Sequence, residues 1–291
     1  MRKELAAKNV LSLQDIDNLR EESLYCKVFS KNVSVLAKNQ KGIKELFKLI
    51  SLGCTTQFFN GAKVFMKQIK DCKNLLLGSG GLDSRLVDLI LYGTKSEIKE
   101  EIKLYDYIEL LPISAFSHKI AKSFPESFIK EMLRFVYKEA KKQKKIVIAS
   151  GDVRYKSDRE KIYHEVLINA KGIGGVRHPL YSFNDKNPQY PTLSYLTTKE
   201  MIKEVNYLED SKIIREVVVK EPNKIADMIE EVKIIKDKLY TPTFKNDVKE
   251  LKSLVYKTAH EMYGDKLPAI VQERIDKELA PIIEHGFSVI Y

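Results

Sequence analysis

The chain has 291 residues, of which 44% are hydrophobic and 31% are charged, a composition typical of a globular protein with its own core. It contains no apolar run near the roughly 20 residues that cross a bilayer, and the start, MRKELAAKNVLSL, lacks the apolar stretch and cleavage site of a signal peptide. The three cysteines, Cys26, Cys54 and Cys72, form no CxxC pair. We therefore expect a cytoplasmic protein without disulfides or membrane attachment.

The charge balance is positive, with 50 Lys and Arg against 40 Asp and Glu, which gives a net charge of +10. An excess of this kind favours contact with polyanions such as nucleic acid. It is equally typical of a lysine-rich protein whose lysines only solvate helix faces. Charge alone leaves both interpretations open.

The first part of the chain predicts a polar helical lead-in over residues 1–31 and a short strand over 32–37. A helix is expected from Gln40, because apolar residues recur there at the spacing of one helical face. Gly53 is a plausible end of that helix. The residues predicted to face inward are Ile43, Leu46, Phe47 and Ile50.

Apolar strands then alternate with amphipathic helices. The predicted strands are 74–77, 105–111 and 145–150, and the predicted helices run through Leu86 and Ile90, over 126–142 and from Asp158. We expect the helix over 126–142 to bury Phe128, Met132, Phe135 and Val136. We expect the helix from Asp158 to bury Ile162, Tyr163, Val166, Leu167 and Ala170. This alternation predicts an α/β fold with parallel strands, either a barrel or an open sheet.

The pattern changes after residue 172. Glycines, prolines and aromatic residues over 172–196 predict an irregular loop, and the chain from Thr197 onward is predicted to be mostly helical. Thr197–Glu200 has the pattern of a capping box, and Pro222 and Pro268 stand where helices commonly begin. We expect a boundary near 195–235. The last residues, 285–291, read as a turn into an apolar strand that is cut short.

Several segments, in order, resemble the PolC-type DNA polymerase III alpha subunit of low-GC Gram-positive bacteria and their wall-less relatives. They are VSVLAKNQKGIKELFKLIS (33–51), LLLGSG (75–80), YDYIELLP (105–112), IVIASGDVRY (146–155), KIYHEVL (161–167), TTKEM (197–201), KIADMI (224–229), DKLYTP (237–242), EMYGDKLP (261–268) and ERIDKELAPIIEHGFSVIY (273–291). The resemblance covers about residues 30–291. No short motif carries it alone, and its strength lies in the number of ordered segments.

The resemblance implies a fold and a place in a larger enzyme. Residues 1–31 would follow the inserted exonuclease, 32–195 would form the second part of the polymerase-and-histidinol-phosphatase (PHP) domain, and 196–291 would connect it to the palm. The expected fold is a partial (β/α) barrel followed by a mostly helical segment. The parent would synthesise DNA on a template with Mg²⁺, and its catalytic palm acids would follow Tyr291. Implied partners are DNA, the remaining PHP, palm and thumb parts, the sliding clamp and other replisome proteins.

The resemblance also locates a PHP metal site. Its Asp/Asn-x-His motif corresponds to Asp152-Val153-Arg154, in which Arg154 stands in place of the histidine. A guanidinium has no lone pair to donate to a metal ion. The family often has a cysteine ligand at the position of Gly81, and its His-x-His ligands would lie outside this chain. Glu109 and Asp152 remain as vestigial acids, which could pair with Arg154. We therefore expect a degenerate site with no metal, no catalytic residue and an architectural role for this piece.

Other patterns give weaker signals. Gly78-Ser79-Gly80-Gly81 could cradle a phosphate, but it fits neither GxGxxG nor a P-loop, and a tight turn is the better interpretation. The five histidines form no metal or catalytic motif in the sequence. Surface cations that could contact a nucleic-acid backbone are Lys141, Lys142, Arg177 and His178.

Two other functions stay open at this point. A stand-alone PHP-type phosphoesterase would need an intact metal-ligand set, which Arg154 and Gly81 argue against. A separate nucleic-acid-binding or scaffold module without catalysis would need only the basic surface.

Overall fold

The computed structural model describes residues 30–58, 61–175, 177–178, 180–183, 185, 188–235 and 241–291. The predicted lead-in over residues 1–31 therefore lies almost entirely outside the described residues. The chain divides into two compact units, Met1–Val232 and Lys233–Tyr291. This division does not test the assignment of residues 32–195 and 196–291 to parts of a polymerase, which stays a prediction.

The first unit contains a four-stranded mixed sheet. Its strands are β1 (Ser34–Ala37), β2 (Leu75–Gly78), β3 (Tyr107–Leu110) and β4 (Ile146–Ala149), in that order across the sheet. Strands β2, β3 and β4 are parallel, as expected, but β1 pairs antiparallel with β2. The prediction of a wholly parallel sheet is wrong at β1, because the apolar pattern of a strand does not encode the direction of its neighbour.

The helices of the first unit lie between and after these strands. They are α1 (Gln40–Cys54), α2 (Met66–Lys70), α3 (Arg85–Tyr92), α4 (Lys95–Ile102), α5 (Ser117–Ile120), α6 (Glu126–Lys142), α7 (Lys161–Asn169), α8 (Thr198–Glu204), α9 (Ser211–Arg215) and α10 (Glu221–Ala226). Short 3₁₀ turns cover Ile113–Phe116, Asp158–Glu160, Ile173–Gly175 and Asn206–Leu208. Helix α8 begins with the predicted capping box between Thr197 and Glu200.

The core of this unit forms where α6 packs against β3 and β4. Helix α6 buries residues at helical spacing, including Ile129, Leu133, Val136 and Ala140, and its bounds match the prediction. Strand β3 buries Ile108 and Leu110 completely, and Tyr107 is also buried, so both faces of this strand are covered. The sequence of a strand that is covered on both faces is a nearly continuous apolar run, which is why YDYIELL was predicted to be a strand.

Of two predicted apolar faces, one is exposed and the other is only partly buried. On α7, Ile162, Tyr163, Val166 and Leu167 are each 60 to 68% exposed, and the stripe predicted to face inward is wrong. On α1, Phe47 and Ile50 are about half exposed, whereas Ile43 and Leu49 are buried. Gly53 does not end α1 but lies buried inside it, where a Cβ would approach the backbone of Lys63 within 3.1 Å. Helical spacing identifies a stripe, but only packing decides whether the stripe is covered.

A π turn over Glu216–Lys220 joins α9 to α10 and packs against β4. Its cause is Pro222, which lacks an amide hydrogen and cannot continue the regular helical ladder. The Glu221 amide instead donates to the Glu216 carbonyl, one residue further back than in an α-helix. Pro222 is the second residue of α10 and lies in its first turn, as predicted.

The second unit is a pair of helices, α11 (Asp247–Tyr263) and α12 (Ala269–Glu284). Pro268 caps α12, as predicted. The strand expected near the end does not form, because α12 is followed by Gly286 at a φ of 73° and by a turn over residues 288–290. Across the described residues of both units, no helix combines the length and the apolar character that a membrane span requires.

Candidate functional site

The candidate site lies at the carboxyl ends of β2, β3 and β4. Because these strands are parallel, the residues that follow or end them meet at one edge of the sheet. The turn after β2 contributes residues 79–82, β3 contributes Glu109, and the loop after β4 contributes residues 150–154. The fold thus brings together Gly81, Glu109, Asp152 and Arg154, which are far apart in the sequence.

Ser79 and Glu109 hold the turn after β2 in place. The fully buried Ser79 hydroxyl accepts a hydrogen bond from the Glu109 amide at 2.9 Å. The Glu109 carboxylate accepts one from the Gly80 amide at 3.2 Å. Gly80 has a φ of +84°, and a Cβ there would lie 2.7 Å from the Asn32 carbonyl oxygen. The glycine sequence therefore builds a tight turn whose backbone is bonded to Glu109.

Asp152 is held by two partners. Its Oδ2 accepts a hydrogen bond from the Leu82 amide at 2.7 Å, and its Oδ1 lies 3.0 Å from Arg154 Nη2. The Asp152 side chain is only 14% exposed, while that of Arg154 is 51% exposed. Asp152 also has a φ of +45°, which is uncommon for a residue with a side chain. The loop after β4 thus turns the carboxylate inward and leaves the guanidinium at the surface.

Gly81 leaves the space that the Asp152 carboxylate occupies. A Cβ on residue 81 would lie 2.6 Å from both Cγ and Oδ2 of Asp152, which is closer than real contacts allow. A side chain at position 81 and this placement of Asp152 therefore exclude each other. The described residues contain no group of three or more His, Cys, Asp or Glu side chains placed to hold a metal ion.

Two histidines that form no metal or catalytic motif in the sequence lie beside this edge. His164 on α7 and His178 in the loop after it have ring centroids 6.2 Å apart, and Tyr155 stacks at 5.7 Å from His164. Burial lowers the pKa of both imidazoles, and the charge of Arg154 lowers both further. Their separation in the chain follows no metal or catalytic spacing, so sequence motifs had no means of pairing them.

The predicted nucleic-acid contacts occupy different environments. Lys141 is engaged within the protein, because its Nζ lies 2.5 Å from Glu216 and 3.7 Å from Glu221. Burial lowers the pKa of Lys141, but its bond to Glu216 and the charges of both glutamates raise it above its ordinary value. Its neighbour Lys142 is exposed.

Arg177 also makes contacts with other residues of the chain. It donates to the Asn169 carbonyl at 2.8 Å and stacks over the Tyr181 ring at 4.3 Å. The next residue, His178, is exposed. Whether any of these cations contacts nucleic acid stays a prediction.

No protein-family model matches the chain. The curated relatives it matches are named DNA polymerase III PolC-type. The protein from Mycoplasmopsis pulmonis is 44% identical over 288 residues, which cover 99% of this chain and 20% of that protein. The protein from Thermotoga petrophila is 35% identical over 97% of this chain, and the protein from Bacillus subtilis is 31% identical over 100% of this chain. Each match covers 20% of the relative. The chain spans about a fifth of the length of these relatives. Matched along nearly all of its sequence, it belongs to the PolC-type DNA polymerase III family and corresponds to one segment of its members.

Proposed function

We propose that this chain acts as an architectural segment of a PolC-type replicative polymerase and that the edge carrying Asp152 is a PHP metal site in which an arginine has replaced the metal. The parent would carry out template-directed DNA synthesis in the cytoplasm, with Mg²⁺ bound by palm acids outside this segment. DNA, the other PHP, palm and thumb parts, and the sliding clamp would be partners of the parent.

The observation that carries this proposal is the mutual placement of Gly81, Asp152 and Arg154. In the family pattern, positions 81 and 154 can supply a thiolate and an imidazole to a metal. Here residue 81 has no side chain, and the Asp152 carboxylate fills the space beside it. Arg154 supplies a permanent positive charge 3.0 Å from that carboxylate.

The remaining groups do not fit a divalent cation. Both Asp152 oxygens already have partners, and Glu109 is bonded to the Gly80 amide. A metal ion near Asp152 would also be repelled by the Arg154 guanidinium. These contacts favour a structural role, in which Arg154 balances the carboxylate that a metal would otherwise balance. They disfavour the alternative of a PHP-type phosphoesterase.

Metal analysis tests the degenerate site. The purified chain, produced with added Zn²⁺ and Mn²⁺ and dialysed without chelator, should retain far less than one equivalent of either metal. The Gly81→Cys/Arg154→His double variant restores the family residues and should bind more metal than the native chain. Stoichiometric metal in the native chain would contradict the proposal.

A chimera tests the architectural role. The matched segment of the Mycoplasmopsis pulmonis relative would be replaced by this chain, and primer extension would be measured. We expect the chimera to extend primers and the isolated chain to extend none. Extension by the isolated chain would refute the assignment, and so would a folded but inactive chimera.

A further inference from the structure

A groove in the first unit has apolar walls that the described residues leave partly open. It lies between β1, α1 and the segment that leads into α2, and it has a volume of about 620 Å³. All four residues of β1 are only partly buried, whereas three of the four residues of β3 are buried. We call this feature the α1 groove. The apolar side chains that line it are Val33, Val35, Leu46, Leu49, Ile50, Val64, Met66, Ile69 and Leu104.

The first described residues lie at the α1 groove. Lys31 and Asn32 are among the residues that line it. Lys31 Nζ lies 2.9 Å from Oδ1 of Asp83 and 3.2 Å from Oδ2 of Asp88. The Asn32 amide donates to the Asp83 carbonyl oxygen at 2.9 Å. These contacts fix the point at which residues 1–29 join the folded unit.

The sequence before this point has the pattern of an amphipathic helix. Ser12 and Asp15 have the spacing of a capping box. Leu13, Ile16 and Leu19 then recur every three residues, which places them on one side of a helix. A helix as short as 13–22 is only marginally stable in water without a surface to pack against. The acidic residues on its other side are Asp15, Asp17, Glu21 and Glu22.

The connection between this pattern and the groove is short. Residues 23–29 separate the amphipathic segment from Ser30, and seven residues span at most about 25 Å when fully extended. A short tether of this kind gives the attached segment an effective concentration of about a millimolar. The chain's own segment therefore has an advantage over a separate protein as the occupant of the groove.

The charges of the groove and of the segment are complementary. Among the described residues that line the groove, Lys31, Lys63 and Arg85 are cations and Glu101 is the acid. Residues 15–22 contain four acids and one arginine, which gives this stretch a net charge of −3. Opposite charges of this kind favour one orientation of a docked segment over others.

We propose that residues 13–22 of this chain dock into the α1 groove. Their apolar side packs against β1 and Ile50, which is 51% exposed without them. Their acidic side faces Lys63 and Arg85. Removal of apolar surface from water drives the docking, and the charges orient it. The contact goes beyond the proposed architectural role and does not depend on it, because both partners belong to this chain.

Limited digestion of the full chain with trypsin tests the docking, with the rate of cleavage after Arg20 measured by mass spectrometry. Docking should protect this bond, because a protease cleaves the undocked population. Ile50→Glu places a charge in the groove, and Ile16→Glu places one on the docking face. Each should raise the cleavage rate by about tenfold or more. Arg85→Glu should raise it by about threefold.

Phe47→Glu is the matched control for Ile50→Glu. Phe47 lies on the same helix and is 48% exposed, but it is not among the residues that line the groove. This variant should be cleaved after Arg20 at the native rate. Equal rates in the native chain, Ile50→Glu and Ile16→Glu would overturn the proposal. Ile16→Glu keeps the test valid if Ile50→Glu unfolds the sheet unit.

Cross-linking distinguishes the chain's own segment from that of a second copy. Asn18→Cys, combined with Cys26→Ser and Cys72→Ser, leaves the exposed groove residue Cys54 as the second thiol. A short bismaleimide should join the two thiols within one chain, and Ile16→Glu should lower the yield by about tenfold.

The control for this cross-link carries Ser123→Cys in place of Asn18→Cys. Ser123 is exposed and does not line the groove, so this variant should give little product. Cross-links that form only between two chains would assign the groove to a second copy and contradict the proposal. A yield that Ile16→Glu leaves unchanged would contradict it as well.

Discussion

The two units of the chain differ in how completely they bury their apolar side chains. In the first unit, Ile108, Leu110, Ile129 and Val136 have no exposed surface. In the described part of the second unit, even the most buried residues, such as Leu251 and Leu279, are 7% exposed. There Leu254, Met262, Ile270 and Tyr291 are each 58 to 76% exposed. A sheet covered by helices encloses a core, whereas two helices leave most of their apolar surface open.

This contrast implies that stability is concentrated in the sheet unit. Local opening is expected to cost little free energy where few apolar side chains are buried. The second unit should therefore exchange its amide hydrogens and be cleaved by proteases well before the first. The following substitutions, ordered from the largest expected effect to the smallest, probe that contrast.

Matched leucine truncations should give the largest difference. Leu110→Ala empties a fully buried site in β3 and should lower the free energy of unfolding of the sheet unit by about 3 to 5 kcal/mol. Leu254→Ala removes the same atoms from a side chain that is 58% exposed and should change stability by about 0.5 kcal/mol or less. Urea unfolding followed by circular dichroism measures both. Similar losses for the two variants would break the contrast.

Acid should destabilise the sheet unit through His118. Burial, with help from Lys119 and Lys122, lowers the pKa of His118 from 6.5 to about 4. The unfolded chain therefore takes up a proton that the folded chain resists between these values. Stability from this group is full above pH 6.5 and is lost as the pH falls towards 4, by about 3 kcal/mol in total. His118→Leu should flatten this part of the stability profile between pH 7.5 and 4.5, and an unchanged slope would contradict the assignment.

Neighbouring lysines at the end of α6 should behave differently. Lys141→Ala removes the cation 2.5 Å from Glu216 and leaves the 8%-exposed Glu221 with Lys224 at 3.9 Å. It should cost about 1 to 2 kcal/mol, reduced from a fully buried pair by solvent. Lys142→Ala, on the exposed side, should cost about 0.5 kcal/mol or less. Thermal unfolding distinguishes them. Equal effects would mean that the Lys141 contacts do not stabilise the unit.

Removing one tyrosine hydroxyl from each unit should give the smallest effect. Tyr207 is 4% exposed and donates to the Leu111 carbonyl at 3.1 Å, so Tyr207→Phe should cost about 1 kcal/mol. Tyr256 donates to Asp276 at 3.2 Å in an exposed contact, and Tyr256→Phe should cost only a few tenths of a kcal/mol. Hydrogen exchange of each unit reports the change. A larger loss at Tyr256 would show that the second unit is the more ordered one.

Local sequence patterns predicted the helices and strands more reliably than they predicted which side chains are buried. The bounds of α6, the capping box at Thr197 and the strand around Ile108 follow from periodicity and short-range hydrogen bonding. The same periodicity on α7 failed, because Tyr163 and Leu167 lie on a regular stripe that remains exposed in the described structure. A stripe is a property of one helix, but its burial depends on whether another element covers it.

The amino-acid order alone was sufficient to identify the family and the alternation of strands and helices. Only the folded chain decided that β1 runs antiparallel, that the Asp152 carboxylate occupies the space beside Gly81, and that the rings of His164 and His178 lie 6.2 Å apart. The reason is that propensity and periodicity act within a few residues. Contacts between segments dozens of residues apart depend on how the sheet is paired, which no local pattern encodes.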